Sequence, residues 1–280
     1  MARIRFLFVA LAALAAALVT TARPQAIAPY RILVTNDDGV RAPGILAVAQ
    51  ALQGLGDITI VAPSENQSGK GHSLTIGDPI FADPVTLPGG LRATALTATP
   101  ASCVKVAVEA LMKDRPDLVV SGINRGYNLG VLAYVSGTVG AAREAALQGI
   151  PSIASSLALE QASDYGPAAR FVRQVAERVK EHGLDRGVFL NVNVPPGSAD
   201  RIKGIRVTTQ SRQIGDEHFE QQQTPWGRRY FWGVWKDPAS DDEGTDVWAT
   251  ANGYVAVTPL HANEFDKSAY ETWQKRFKER

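Results

Sequence analysis

The sequence predicts an α/β protein in three layers: helices cover both faces of a mostly parallel sheet, with a β-rich C-terminal extension and a terminal helix beyond it. Three observations predict it. Short apolar runs alternate with stretches of helical spacing through the first two-thirds of the 280 residues, the pattern of strands joined by crossover helices. Polar, glycine-containing loops follow the apolar runs instead of interrupting them. After about residue 200 the style changes to β-formers, in a region that holds all five tryptophans.

In chain order, residues 31–36 form a strand, 43–52 a helix and 58–61 a second strand, followed by a polar loop over 63–72. Residues 91–98 are strand-like, 102–112 helical, and 117–122 a third apolar run ending in a Gly- and Asn-rich loop. A helix over 137–148 leads into a strand at 150–157. Ala168, Phe171, Val172, Val175 and Val179 then recur at helical spacing, closed by Gly183. Another strand covers 188–194, so residues 30–200 make a Rossmann-like core. Within 201–280, Ile205-Arg206-Val207-Thr208-Thr209 starts a strand. The aromatic-rich residues 228–235 suggest a β-hairpin, which either projects toward another subunit or packs on its own domain. Residues 267–280 form a polar terminal helix.

The N-terminus reads differently. Arg3 and Arg5 precede Phe6-Leu7-Phe8-Val9, an alanine-rich run and Thr20-Thr21-Ala22. A basic start, an apolar stretch of about 14 residues and small residues beyond it form a secretory signal peptide. A membrane span needs roughly 20 apolar residues, so cleavage is expected near Ala22, or later, to about residue 28, with an uncleaved anchor as the alternative. The rest of the chain then has no segment for stable membrane insertion, and the expected location is the periplasm.

With 29 basic and 28 acidic residues there is no global field for a nucleic-acid polymer or an anionic membrane. Loss of Arg3 and Arg5 takes the formal charge from +1 to −1. Cys103 is the single cysteine, so no intrachain disulfide supports the fold. Its setting at a helix start favours a small buried hydrophobe over a nucleophile.

Chemistry concentrates in four segments. Asn36-Asp37-Asp38-Gly39 ends the first strand. Two adjacent carboxylates disfavour joint ionisation, and a divalent cation is the usual remedy; a solvated Asp-Gly turn is the plainer reading. Glu65-Asn66-Gln67-Ser68-Gly69-Lys70-Gly71-His72 follows the second strand, and Asn124-Arg125-Gly126-Tyr127-Asn128 the third apolar run. Ser136-Gly137-Thr138 opens a helix, either as an anion site of free N–H groups or as an ordinary cap. Parallel strands would bring all four to one rim. The donors are oxygens and amides, which suit Mg²⁺, Mn²⁺ or Ca²⁺, and zinc-ligand spacings are absent. No Walker loop, G-x-G-x-x-G or G-x-S-x-G occurs. His72 could orient a substrate, donate a proton or serve only structure.

The same segments resemble the stationary-phase survival protein (SurE) family of nucleotidases. Val34-Thr35-Asn36-Asp37-Asp38-Gly39-Val40 with Ala42-Pro43-Gly44 resembles its N-terminal signature, and Val61-Ala62-Pro63 with Gln67-Ser68-Gly69 and His72-Ser73-Leu74-Thr75 its second motif. Pro116 through Gly126 with Asn128-Leu129-Gly130, then Ser136-Gly137-Thr138-Val139, complete the order. The resemblance implies Asp37, Asp38, Ser68 and Asn124 as metal ligands for one Mg²⁺ or Mn²⁺ per subunit. It places Asn36, Asn128, Ser136, Gly137 and Thr138 around the phosphate, with Asp37 and Asp38 as catalytic residues. The implied activity is hydrolysis of nucleoside 5′- and 3′-monophosphates by a homodimer or homotetramer that exchanges its C-terminal extension. Val131-Leu132-Ala133-Tyr134-Val135 departs from the acidic and aromatic pattern of many relatives, which leaves substrate preference open. An exported nucleotide- or phosphate-binding protein without turnover is the alternative, and a metal-dependent glycosyltransferase a distant third.

Overall fold

The structure is a computed structural model and describes residues 29–161, 163–238 and 241–279. The signal peptide expected over residues 1–22, or to about 28, lies outside the described residues, as does Arg280 at the end of the expected terminal helix.

The first strand, β1 (Arg31–Thr35), carries Ile32 and Val34 into one core cluster and Leu33 into another. A strand covered on both faces must be apolar at successive positions, and Ile32-Leu33-Val34 satisfies that. Each side chain, fully buried, contributes about 1.5–3 kcal/mol. Next come α1 (Pro43–Ala51), β2 (Asp57–Pro63), β3 (Ala82–Thr86), β4 (Arg92–Leu96) and α2 (Pro100–Val106), which runs into a π-helical turn, Ala107–Leu111. They are followed by β5 (Leu118–Arg125), α3 (Gly137–Leu147), β6 (Ser152–Leu157), α4 (Gly166–His182) and β7 (Val188–Val194). The C-terminal part holds β8 (Ile205–Val207), β9 (Asp216–Gln223), β10 (Arg229–Lys236), α5 (Asp246–Ala251), β11 (Val255–His261) and α6 (Lys267–Arg276).

Nine strands form one sheet in the order β3-β4-β2-β1-β5-β6-β7-β11-β8. All neighbours from β4 to β7 are parallel; β3 on β4 and β11 on β7 are antiparallel. Ile45 and Val48 of α1 and Val172 and Val175 of α4 fill one face, while Cys103 and Val104 of α2 and Ala141 and Ala145 of α3 fill the other. This is the three-layer, Rossmann-like α/β fold. From β1 the chain builds outward through β2 and β4, then returns to β1's other side as β5. The crevice between the carboxyl ends of β1 and β5 is therefore the topological switch point, where open α/β sheets bind ligands.

The region after residue 200 divides. β8 and β11 complete the main sheet, whereas β9 and β10 pair only with each other. Their hairpin carries Phe219, Phe231 and Trp232 in the open, and α6 buries no residue. Cys103 is buried on the core face of α2, where burial pushes its thiol up, as suits a small core hydrophobe. Among the described residues no helix is long and apolar enough to cross a membrane.

Candidate active site

Asp37 and Asp38 follow β1 directly, at the switch point. Asp37 is 2% exposed and Asp38 half-buried. Burial pushes the Asp37 carboxyl up to about 6; the Thr138 hydroxyl pulls against that shift, and the neighbouring Asp38 adds to it. Asp38 is raised by burial too, opposed by the Arg125 N–H, which donates to its Oδ2 at 3.0 Å, and by the Arg125 charge. Two carboxyls held where ionisation is costly call for positive charge nearby.

The other wall is the start of α3. Ser136 is its N-cap, its Oγ accepting from the Val139 N–H at 3.2 Å. Ser136 is therefore an ordinary cap, and the helix N-terminus it ends still presents the N–H groups of its first turn. The Thr138 hydroxyl donates to Asp37 Oδ1 at 2.5 Å. Gly137 touches the same carboxylate: a Cβ there would lie 2.9 Å from Asp37 Cβ and 3.0 Å from its Oδ2. Only glycine lets the helix end rest on the acidic pair.

The other predicted residues converge on this crevice by their loops. The Gln67 N–H donates to the Asp37 carbonyl at 2.7 Å and the Gly71 N–H to the Val135 carbonyl at 2.9 Å, so the loop bridges the acidic pair and the start of α3. Ser68 lies exposed between those anchors. Asn124 ends β5 after a register shift between Ser121 and Asn124, and its Nδ2 donates to the Gly126 carbonyl at 2.8 Å. Such irregularities re-aim a side chain beside a site. Asn36 Nδ2 donates to the Gly39 carbonyl at 2.8 Å, which leaves its buried Oδ1 without a partner among the described residues. In this arrangement the Asn36 side chain offers a free acceptor, which suits a cation or a proton-bearing group, and its Nδ2 keeps a second N–H.

Asn128 is held from three sides. Its N–H donates to Asn193 Oδ1 and its Nδ2 to Ser156 Oγ, both at 2.8 Å, while its carbonyl accepts from Asn191 Nδ2 at 2.8 Å. Sequence reasoning treated residues 188–194 simply as a strand. The buried Asn191 and Asn193 were the available signal, since amides within a core strand need partners. His72 Nε2 lies 2.9 Å from Glu144 Oε2, and Lys105 Nζ 3.4 Å from Glu144 Oε1. Burial raises the Glu144 carboxyl, but bonds from His72 and Gln148 and the Lys105 charge overcome it and hold it below its ordinary range. His72 thus ties its loop to α3, the structural role among those open to it.

These features define a class: an α/β protein with a carboxylate pair set against a helix N-terminus at its switch point. The model of the family described as survival protein SurE matches residues 32–217. A 5′-nucleotidase SurE of Syntrophobacter fumaroxidans is 46% identical over 235 residues, 82% of this chain and 93% of its own. One from Flavobacterium johnsoniae is 41% identical over 246 residues, 87% and 94% of the two chains. The crystal structure of the SurE protein from Aquifex aeolicus aligns with a TM-score of 0.76 at 37% identity, covering 86% of this chain and 97% of that one. The chain belongs to the SurE family.

Proposed function

We propose that this protein is a divalent-metal-dependent phosphomonoesterase that hydrolyses nucleoside 5′-monophosphates, and 3′-monophosphates, to nucleoside and phosphate. The observation that carries the reading is the contact of Gly137 and Thr138 with Asp37, which sets an anion site against a carboxylate pair. Relatives named 5′-nucleotidase, matched over most of both chains, support the same enzyme class.

The donor set fits a hard divalent ion. It comprises two carboxylates, a hydroxyl and an amide, with the orphaned Asn36 Oδ1 beside them, and oxygen donors suit Mg²⁺ or Mn²⁺. Among the described residues no cluster of three His, Cys, Asp or Glu side chains offers a softer alternative. Asp37, Asp38, Ser68 and Asn124 would hold one ion per subunit. When bound, it supplies Lewis acidity toward the phosphate oxygens and neutralises the carboxylate pair.

The chain's own groups do the rest. The N–H groups at the start of α3, that of Thr138 among them, with the Ser136 hydroxyl, orient the phosphate and stabilise charge on its equatorial oxygens. The loop fixed by Asn191, Asn193 and Ser156 sets Asn124 and Asn128 along its side. Thr138 occupies one oxygen of Asp37, whereas Asp38 Oδ1 has only a 3.5 Å contact from Asn66 Nδ2. That leaves Asp38 Oδ1 the freer oxygen to take the proton of a water attacking in line with the leaving group.

The subunit is proposed to assemble as a homodimer or homotetramer through the open aromatic faces of the hairpin and α6. Export to the periplasm is proposed from the basic, apolar start of the sequence; N-terminal sequencing of the purified protein checks it. Phosphate release from AMP, measured with Mn²⁺ and with a chelator, tests the function. Metal-dependent release is expected. Tight AMP binding without release would favour the binding-only alternative.

A further inference from the structure

Three residues beyond Asn124 the rim opens into a second cavity. It has a volume of about 220 Å³ and is lined in part by Tyr127, Leu129, Glu160, Pro196, Asp237 and Val247. Glu160 follows β6 and Pro196 follows β7, so the cavity shares the carboxyl rim of the sheet with the acidic pair, one to two strands beyond β5. Strands lie about 4.8 Å apart, and three residues of chain span at most about 11 Å. Tyr127 therefore lies within about 11 Å of Asn124, beside the crevice proposed to hold the phosphate.

The cavity is chemically one-sided. Burial raises the Tyr127 hydroxyl, and the charges of Glu160 and Asp237 raise it further. Burial raises Asp237 as well; a hydrogen bond from Trp235 opposes that shift and Glu160 adds to it. All three line the same cavity. Among the described residues no Lys, Arg or His lines the cavity, and no third acidic, His or Cys group completes a cation cluster. The remaining wall is mostly apolar, from leucine, valine, alanine and two prolines. A slot with flat apolar sides and an acidic edge repels phosphate. It suits a heterocycle whose own edge carries N–H donors.

We infer that this cavity receives the nucleobase and selects bases that carry an exocyclic amino group. Glu160 and Asp237 act as its acceptors, and Tyr127 forms the aromatic wall. The inference rests on the phosphomonoesterase reading of the adjacent site. AMP and IMP differ along one edge, an exocyclic amino beside a bare ring nitrogen against an oxo beside a ring N–H, and CMP and UMP differ in the same way; only the amino group offers two N–H donors to the two carboxylates.

The test compares kcat/KM within each pair, for the wild type and for E160Q, D237N and the double variant, in Mn²⁺. The wild type is expected to favour the amino member by about tenfold, the scale of one hydrogen bond to a charged acceptor. The double variant is expected to bring both ratios close to one, because a Gln or Asn amide serves amino and oxo edges alike. Each ratio compares two substrates on one enzyme, so partial misfolding cancels from it. A wild-type ratio near one in both pairs, or a preference that survives in the double variant, overturns the inference. Calorimetric binding of adenosine against inosine gives a readout that needs no turnover. If no phosphomonoester is hydrolysed, yet adenosine binds more tightly and E160Q/D237N removes the difference, the phosphomonoesterase reading fails and the base site stands.

Discussion

At the scale of single residues, the site depends on how closely small groups let charge and backbone approach. Gly137 is the clearest case, since its missing side chain is what allows α3 to rest on Asp37. Gly137→Ala forces a Cβ to 2.9 Å from Asp37 Cβ and 3.1 Å from Pro100 Cγ. Overpacking of this kind costs about 1–3 kcal/mol. The larger expected effect is on chemistry, since a displacement near 1 Å can cost about 100-fold in rate. Urea unfolding and kcat/KM for AMP measure the two together; an unaltered kcat/KM would show that the contact is incidental.

At the scale of elements, two arrangements hold the crevice from opposite ends. On the rim, Asn193 of β7 accepts from the Asn128 N–H and so fixes the loop that follows β5. Asn193→Ala leaves that N–H buried without its acceptor, at a cost of about 1–3 kcal/mol, and kcat for AMP is expected to fall by about tenfold or more. A variant that loses stability but keeps kcat would limit Asn193 to a scaffold role. At the far end, Arg31 of β1 bonds Asp117, just before β5, through its N–H at 2.8 Å and its guanidinium at 3.2 Å. Burial alone would raise Asp117, but these bonds and the Arg31 charge hold it below the usual carboxylate range. A depressed pKa adds stability that is present above the unfolded value, near 3.9, and lost as pH falls through the lower folded value. The stability difference between wild type and Asp117→Asn is thus expected to be largest at neutral pH and to shrink as pH falls from about 3.9 through the lower folded value. It should not exceed about 1 kcal/mol, because the pair is partly exposed. Unfolding curves across that range check the sign.

The same elements show what a sequence can and cannot display. β1 was legible because both its faces are covered, and the rim followed from the parallel order of β1, β2 and β5. β9, Asp-Glu-His-Phe-Glu-Gln-Gln-Gln, is exposed along its whole length, so it has no buried face to impose an apolar period. β3 is similarly open and contains Pro84, which an edge strand tolerates. The Asn128 cradle was hidden for another reason. Its amides serve a backbone 65 positions away, and no local pattern encodes that partner. Asp37, Asp38, Asn124 and the start of α3 lie at one rim, as a parallel strand order implies, whereas the amides of Asn36 and Asn128 bond to groups that no local sequence pattern marks.

At the scale of the whole molecule, Phe231, Trp232, Trp273 and Phe277 are each more than half exposed, on a hairpin and a helix outside the main sheet. Apolar surface of this kind marks an association site. Sedimentation of the wild type is expected to give a dimer or tetramer, and Phe231→Ser/Trp232→Ser to shift it toward monomer; a monomeric wild type would refute the assembly. The proposed function requires the acidic pair and the helix end to act as one site. The most direct measurement is a Mn²⁺ titration of wild type, Asp37→Asn and Asp38→Asn, reading bound metal by equilibrium dialysis and phosphate release from AMP on the same samples. One ion per subunit is expected in the wild type, with turnover rising in step with occupancy, and both variants should lose metal affinity and turnover together. Full AMP hydrolysis by Asp38→Asn, or wild-type turnover unchanged after metal removal, would contradict the account.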